Sequence, residues 1–353
     1  MIDLPLQHDS TMADGDSRQV SATASRGLAS WLTGQRVSLV VSTHETAKLI
    51  FIGTSKGGDL TLSHAQFSSN TMGIAASPDR IILGTHQEVW HLENALPPEV
   101  SSETPMDRLY MPRKADATGY LNLHELGVEA SGRVVLANTE YSCLATVGLP
   151  NTFLPIWKPS FITDLVPEDR CHLNGIAFVD GRAKFVTTWS ATDYACGWRE
   201  NWNETGMIID IESDRIVADG LSMPHSPRFY RGAVWVLESG SGNLLRIDPA
   251  TGRREIIVFC PGFVRGLAFH GDFAVATLSK RKPGRLIGET LVSNLERRRM
   301  ALQCGIVVID LIRGEIVEWM QFGPLIPHLF DCAILEDIRQ PGALSPLSPE
   351  VKQ

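Results

Sequence analysis

Short runs of β-branched and other apolar residues recur along the chain from residue 37 onward, and Gly, Asp, Asn or Pro separates each run from the next. Such runs predict strands, among them Val37–Val41, Leu49–Gly53, Arg80–Gly84, Arg133–Ala137, Lys184–Thr188, Ala233–Leu237 and Gly305–Ile309. No long helical periodicity interrupts them, and the composition does not change along the chain. The pattern therefore predicts a single all-β domain with a closed architecture.

The strands follow a repeat. Residues 243–263 form a strand, the turn "DPATGR" and a second strand, and residues 48–67 and 305–322 show the same order. A different segment alternates with these hairpins: a small or polar start, a short apolar strand and a turn. This segment begins near residues 70, 124, 172, 225, 263 and 328. The intervals between these starts are close to the length of about 40 to 50 residues that a four-stranded blade needs. The sequence predicts a six-bladed β-propeller, and the long interval after residue 263 leaves seven blades as the alternative.

The two ends of the chain are predicted to complete one blade together. The inner strand near Leu329–Leu335 has too little chain after it for a blade, and residues 37–67 supply three strands without an inner one. Joining them closes the ring and removes the exposed sheet edges. The expected organisation is a flexible tail with a short helix at Arg26–Leu32 (residues 1–35), the propeller (36–340) and a C-terminal tail (341–353).

Histidines are concentrated at the predicted starts of the inner strands. When the six starts are aligned, their first residues are Asn70, His124, His172, His225, Phe263 and His328. Equivalent positions of a propeller form a ring about its axis, and imidazole is a good ligand for Fe, Zn, Cu, Ni and Mn. The alignment predicts a metal ion on the axis that is held by His124, His172, His225 and His328. Alternatively, these histidines are polar residues of the channel that are bonded to water or to the backbone.

Carboxylates and an arginine accompany these histidines. Glu125 and Asp331 are expected to orient the imidazole rings, and Asp331 is the alternative to His328 as fourth ligand. Arg265 is predicted to clamp a substrate carboxylate or phosphate, or else to form an ion pair between blades. Arg228 has the same two alternatives. Further residues that would line the channel or serve turns and core are Asn138, Asn174, Tyr120 and Trp189.

Composition and net charge restrict the classes of binding partner that are expected. With 43% hydrophobic and 20% charged residues the chain is typical of globular proteins, and its net charge of −8 argues against nucleic acid or an anionic membrane as partner. Residues Met1–Pro5 lack the start of a signal peptide, so a cytoplasmic location is expected. The six cysteines are spread out without metal-binding spacing and are predicted to be mostly buried. The sequence does not indicate an oligomeric state.

Several motifs resemble those of the DUF4915 family, and they occur in the family's order over residues 30–340. They include "PRKADATGYLNLHEL", "HLNGIAFVDG", "GLSMPHSPRFYRG", "PGFVRGLAF" and "FDCAIL". The resemblance implies that His124, His172 and His225 occupy motif positions. His328 stands where the similar motif of the family has Glu, which leaves the identity of the fourth ligand open. The family is mainly described as uncharacterised, so the resemblance implies little about activity.

These residues together predict a metal-dependent enzyme that acts on a small molecule. An oxidoreductase or oxygenase is favoured, with iron as the metal and zinc, manganese or copper as alternatives, and with Arg265 and Asp331 as catalytic residues. The arrangement is analogous to the carotenoid-cleaving oxygenases, although none of their motifs is present. A metal-assisted hydrolase or lyase and a non-catalytic ligand- or protein-binding propeller are the other hypotheses.

Overall fold

Six antiparallel sheets surround a common axis in the computed structural model of the chain, which describes residues 2–5, 21–97, 105–200, 202–280 and 288–348. The inner strand of each sheet contacts the inner strands of the two neighbouring sheets, and these contacts form a closed cycle. The molecule is a six-bladed β-propeller, as the sequence predicts, and the seven-bladed alternative is wrong.

Each blade contains four strands that run from the axis to the rim. From inner to outer strand, blade 1 is Leu329–Glu336, Val37–Thr43, Lys48–Thr54 and Leu60–Gln66; blade 2 is Thr71–Ala76, Arg80–Thr85, Glu88–Asn94 and Arg108–Ala117; blade 3 is Leu123–Val128, Val134–Asn138, Cys143–Thr146 and Leu154–Trp157. Blade 4 is Leu173–Val179, Arg182–Thr188, Gly206–Asp210 and Ile216–Leu221; blade 5 is Pro224–Tyr230, Ala233–Glu238, Asn243–Ile247 and Arg254–Phe259; blade 6 is Phe263–His270, Phe273–Ser279, Gly305–Asp310 and Glu315–Phe322.

The chain ends close the ring in the predicted way. The C-terminal inner strand of blade 1 pairs antiparallel with the first strand after the N-terminal helix, so that Leu329 lies opposite Thr43 and Glu336 opposite Val37. The long interval in blade 6 is explained by helix α2, Glu289–Arg298, which is inserted between the second and third strands of that blade.

Both terminal segments add further strands, which differs from the predicted tails. Ser21–Ala24 pairs with the outer strand of blade 6, and Ile2–Pro5 pairs with Ser21–Ala24. Pro341–Ala343 runs parallel to the outer strand of blade 2. An outer strand offers unpaired N–H and C=O groups, so a segment of three or four residues, too short for a recognisable apolar pattern, can join it through backbone bonds. Residues 6–20 lie outside the described residues.

Helix α1, Leu28–Gln35, begins two residues later than predicted and buries Leu28 and Leu32 against the strands of blades 1 and 6. A short 3₁₀ helix is formed by Gly197–Arg199. Among the residues that the structure describes, no helix is long and apolar enough to cross a membrane.

The repeated turn motif has a common hydrogen-bond pattern. The side chains of Asp210, Asp248 and Asp310 each accept the backbone N–H groups two and three residues further on. For Asp248 these bonds are the main reason why the carboxyl pKa is lowered. An aspartate at this position stabilises the turn between the third and fourth strands, which is why "DPATGR" and "DLIRGE" mark the blades.

Candidate functional site

A one-residue irregularity occurs near the start of all six inner strands. Each is a β-bulge, which leaves an extra residue on the inner strand and re-aims the side chains next to it. The last residues paired before the irregularity mark where each bulge begins. They are Thr71, Leu123, Leu173, His225, Val264 and Leu329.

The four candidate ligand histidines do not share one register position. His124 and His225 occupy equivalent positions, because in both the Nδ1 atom faces the carbonyl oxygen two residues earlier and the hydroxyl of Thr139 or Ser239. His172 and His328 instead lie one residue before the last paired residue of their strands. The sequence alignment that placed them under one another is therefore wrong.

Six side chains nevertheless form a closed circuit at the start of the inner strands, which we call the axial collar: His124, His172, Trp189, His225, Arg265 and Phe330. The ring centroids are 4.7 Å apart for His124 and His172, 4.3 Å for His172 and Trp189, and 5.6 Å for Trp189 and His225. Arg265 Nη2 lies 3.4 Å from His225 Nε2. The Arg265 guanidinium carbon lies 4.1 Å from the Phe330 centroid, and Phe330 lies 5.6 Å from His124.

The rings of His124 and His225 are oriented in the same way by their own strands. Nδ1 of His124 lies 2.8 Å from the Asn122 carbonyl oxygen, and Nδ1 of His225 lies 3.0 Å from the Met223 carbonyl oxygen. A carbonyl only accepts, so Nδ1 carries the proton in both rings and Nε2 carries the lone pair. Each Nδ1 also contacts the hydroxyl of the residue that directly follows the second strand of the same blade, Thr139 or Ser239.

A carboxylate orients the third ring. Asp169 Oδ2 lies 2.9 Å from Nδ1 of His172 and also accepts the indole N–H of Trp198 at 2.9 Å. Both Asp169 and His172 are buried. Sequence reasoning missed Asp169, and the available signal was an acidic residue three positions before the histidine.

Burial determines the charge of the collar. It lowers the pKa of His124 well below its ordinary value, and His172 and Arg265 lower it further. Burial, then Arg265 and His172, lower the pKa of His225 in the same direction. Both rings are therefore neutral at physiological pH, while Arg265 supplies the collar with a permanent positive charge.

The predicted metal ligands are only partly brought together. The rings of His124 and His172 are in contact, and Trp189 contacts both His172 and His225. His328 instead faces the half-exposed Glu45, and its Nδ1 lies 3.1 Å from the Glu45 carboxylate. Across the described ranges, no three His, Cys, Asp or Glu side chains are placed to hold one metal ion. The structure does not assemble the four-histidine arrangement that the sequence suggested.

Arg265 and Asp331, the predicted catalytic residues, do lie in one small pocket beside the collar. Its lining includes His124, Glu125, Asn174, His225, Arg265 and Asp331. Asn174 is 2% exposed, and its Oδ1 accepts the hydroxyl of Thr187 at 2.9 Å. Its Nδ2 has no hydrogen-bond partner among the described residues, so the pocket contains a buried amide donor that a ligand can satisfy.

Three charged side chains from alternate blades meet in the same region, and we call them the axial triad: Glu125, Arg228 and Asp331. Arg228 Nη1 donates to Glu125 Oε1, and Arg228 Nη2 lies 3.6 Å from Asp331 Oδ1. Glu125 and Asp331 occupy one position of the repeat, at which the blades without a member of the triad have a glycine: Gly73, Gly175 and Gly266. A Cβ on Gly73 would lie 2.9 Å from Glu125 Cα, and one on Gly266 would lie 2.7 Å from Asp331 Cα.

The triad changes the role predicted for its carboxylates. Glu125 and Asp331 were expected to orient histidine rings, but Asn122, Met223 and Asp169 do so, and the two carboxylates pair with Arg228 instead. Burial, reinforced by Asp331 and opposed by Arg228, raises the pKa of Glu125 to about 7. Burial also raises the pKa of Asp331, against the opposing effect of Arg228.

Comparisons with known proteins agree with this fold. The sequence matches the DUF4915 family, described as a domain of unknown function, over residues 26–344. A crystal structure of a nidogen/laminin complex contains a similar chain, with a TM-score of 0.53 and 10% identity over 85% of this chain and 99% of that one. A protein of unknown function from Bacteroides caccae is similar with a TM-score of 0.50 and 10% identity, over 84% and 98% of the two chains. No curated protein matches. At this identity the two structures indicate a shared fold only.

Proposed function

Because this chain belongs to the DUF4915 family, whose function is unknown, we propose from its own residues that the axial collar and pocket bind a small organic anion. The observation that carries the proposal is that one pocket is lined both by Arg265 and by Asn174, whose buried amide nitrogen has no hydrogen-bond partner among the described residues. A guanidinium recognises a carboxylate or phosphate through two parallel hydrogen bonds. An unmade hydrogen bond of a buried donor costs about 1–3 kcal/mol, which a ligand oxygen would recover.

The neutral histidines refine the chemistry of the ligand. In His124 and His225 the Nε2 atom carries the lone pair, so these rings accept hydrogen bonds. The rings of Phe330 and Trp189 supply apolar walls to the same collar. The ligand that fits best combines one oxyanion with hydroxyl groups on a small apolar frame.

Calorimetric titration of the full chain with a panel of benzoate, lactate, malate and inorganic phosphate tests this proposal. We expect Arg265→Gln to weaken binding at least about tenfold, which corresponds to about 1.4 kcal/mol. Asn174→Leu, which removes the unpaired donor, should also weaken it. The matched control is Arg231→Gln, because Arg231 forms an exposed ion pair with Asp272 at 2.7 Å. Equal affinity in the wild type and Arg265→Gln would contradict the proposal.

A metal-dependent enzyme is the second candidate, because one observation favours it. The Nδ1 atoms of His124, His172 and His225 all face acceptors, the arrangement that orients metal-binding histidines. Iron or copper would support an oxidoreductase or oxygenase, whereas zinc or manganese would support a hydrolase or lyase. The rings would have to turn before three Nε2 atoms reach one ion.

Elemental analysis of protein purified without chelator or affinity-tag metal distinguishes the candidates. One equivalent of metal, lost in a folded His172→Ala/His225→Ala variant, would establish the metal site. An absence of bound metal after reconstitution would exclude it and leave the anion site as the function of the collar.

The proposal includes a cytoplasmic location. All six cysteines are free thiols, and five of them are buried. Free thiols in this number are typical of proteins that work in a reducing compartment.

A further inference from the structure

We propose that the anion of the axial pocket is a 2-oxo acid: its carboxylate binds to Arg265, and its keto oxygen accepts hydrogen bonds from the Asn174 amide and the Trp189 indole N–H. The inference rests on the proposed function, which assigns the oxyanion to Arg265, and it deepens that function by naming the class of ligand. It also gives Trp189 a polar role in addition to its apolar contacts.

Two buried N–H donors on blade 4 have no hydrogen-bond partner among the described residues. They are Nδ2 of Asn174 and Nε1 of Trp189, and these residues are 2% and 7% exposed. The amide oxygen of Asn174 already accepts the hydroxyl of Thr187, which leaves the amide nitrogen unused. Because folded proteins leave few buried donors unpaired, two of them on one blade indicate an acceptor that the chain itself does not supply.

Both donors lie near the start of the inner strand of blade 4, next to the pocket. The ring centroid of Trp189 lies 4.3 Å from that of His172, which is two residues before Asn174 in the chain. The same indole ring lies 5.6 Å from His225. His225 lines the pocket together with Asn174 and Arg265. Trp189 therefore lies beside the pocket, on the side where blade 4 contributes Asn174.

The neighbouring blades use the position of Trp189 for their own structure. Thr139 of blade 3 and Ser239 of blade 5 directly follow the second strand, as Trp189 does in blade 4. Their hydroxyls donate to the next inner strand, to the carbonyl oxygens of Leu173 and Val264. The Trp189 N–H makes no such bond within the described residues, so blade 4 presents an unused donor where its neighbours have a structural one.

The chemistry of the two donors favours a carbonyl oxygen. Amide and indole N–H groups donate and cannot accept, whereas a carbonyl oxygen has two lone pairs and no hydrogen of its own to place. A second carboxylate is disfavoured by charge, because Arg265 compensates one anion and Arg228 is already paired with Glu125 and Asp331. A further buried negative charge would have no partner.

The pocket also places the carbonyl group next to the carboxylate. Arg265 and Asn174 line the same small pocket, so the two groups that they bind have to be close together in the ligand. A keto group on the carbon beside the carboxylate provides this arrangement. Hydroxyl groups further along the ligand are left for the Nε2 atoms of His124 and His225.

Calorimetric titration of the full chain with pyruvate, lactate and propionate tests the inference. The three acids share the carboxylate and the carbon chain, and the carbon beside the carboxylate carries a keto oxygen, a hydroxyl or no oxygen. We expect pyruvate to bind at least about tenfold more tightly than propionate, with lactate between them, because the keto oxygen accepts from both donors and has no hydrogen to place. Lactate that binds as tightly as pyruvate would overturn the inference.

Trp189→Phe removes the indole N–H and keeps an aromatic ring. We expect pyruvate to bind at least about fivefold more weakly and propionate, which has no keto oxygen, to bind as before; a loss of packing alone would weaken both acids. The matched control is Trp31→Phe, because the N–H of Trp31 is also buried without a partner in the described part of the chain, but Trp31 lies on helix α1 against Phe273. Equal affinity for pyruvate in wild type and a folded Trp189→Phe variant would overturn the role of Trp189.

A measurement on the wild type decides the question if the variant does not fold. The chain has eight tryptophans, and nuclear magnetic resonance of isotope-labelled protein reports their indole N–H signals. We expect one of these signals to move downfield when pyruvate is added and to stay in place with propionate. In a folded Trp189→Phe variant the same signal should be absent, which assigns it. Indole signals that respond equally to the two acids would overturn the inference.

The outcomes separate the two proposals. Equal binding of the three acids that is lost in Arg265→Gln would leave the anion site, show that Asn174 and Trp189 donate to water, and overturn the 2-oxo acid. Binding of benzoate or phosphate without any binding of pyruvate would do the same. Pyruvate binding that is kept in Arg265→Gln and weakened in Trp189→Phe would support the carbonyl contact while contradicting the proposed function. Absence of binding for every acid would contradict both.

Discussion

Arg228→Met removes the cation that holds the axial triad together. Arg228 donates to Glu125, lies 3.6 Å from Asp331 and donates through Nε to the Leu267 carbonyl oxygen at 2.9 Å. Methionine has a similar unbranched stem but no charge and no donor. The substitution therefore leaves two buried carboxylates without their shared partner while it preserves most of the packing.

The size of the effect follows from the burial of the partners. Glu125 and Asp331 are 3% exposed, so neither can turn to solvent. Removal of one member of a buried ion pair costs about 3–5 kcal/mol, because the charge left behind is not compensated. We expect Arg228→Met to lose about 4 kcal/mol of unfolding free energy at about pH 8, a large part of the total stability of a typical domain.

The loss should depend on pH, and its sign is fixed. Arg228 lowers the pKa of both carboxyl groups, so its removal raises them further above their unfolded values. The folded variant then binds more protons than its unfolded chain, and its stability falls as the pH rises. The difference from wild type should therefore shrink by more than about 1 kcal/mol between about pH 8 and about pH 5.

Urea unfolding followed by tryptophan fluorescence at both pH values gives these numbers. The matched control is Arg231→Met, because the ion pair of Arg231 with Asp272 has side chains 47% and 56% exposed and its loss should leave the unfolding free energy nearly unchanged. The triple variant Glu125→Gln/Arg228→Met/Asp331→Asn should recover most of the loss. A loss below about 1 kcal/mol, or an equal loss at both pH values, would show that Arg228 does not compensate the two buried carboxylates.

Three further predictions test neighbouring features. Gly266→Ala should lower the unfolding free energy in urea by about 1–3 kcal/mol, because the added Cβ meets backbone atoms. Gly34→Ala in α1 is the control and should be neutral or stabilising, because a Cβ there meets nothing within 4 Å. Equal effects of the two substitutions would contradict the close approach of the inner strands at the axis. The unfolding free energy of wild type relative to Glu125→Gln should fall as the pH rises from 4.5, the ordinary pKa of glutamate, to about 7, because Glu125 keeps a proton in this range only in the folded protein. A difference that does not change with pH would show that Glu125 titrates normally. Asp169→Asn should cost about 1–3 kcal/mol and shift tryptophan emission, since Asp169 accepts from Trp198; unchanged emission would contradict that contact.

Much of the fold was predictable because its signals are local. Apolar runs and turn residues mark each strand, and the aspartate of "DPATGR" makes its bonds within three residues. The unpaired strands at residues 37–67 and near residue 330 required each other, so the closure of the ring followed from the sequence. The family membership was also recognisable from its motifs. The clustering of His124, His225 and Arg265 followed from their places at the starts of inner strands.

The tertiary structure alone decided how these residues meet. The register of an inner strand leaves no mark in the sequence, yet it places His124 and His172 two positions apart and decides which rings touch. Glu125 and Arg228 are 103 residues apart in the chain, so no local pattern predicts their ion pair. The strands at residues 21–24 and 341–343 join blade edges through backbone bonds, for which many sequences suffice. Hydrophobic pattern and turn chemistry determine strands and their order, whereas register and contacts between blades depend on packing across the axis.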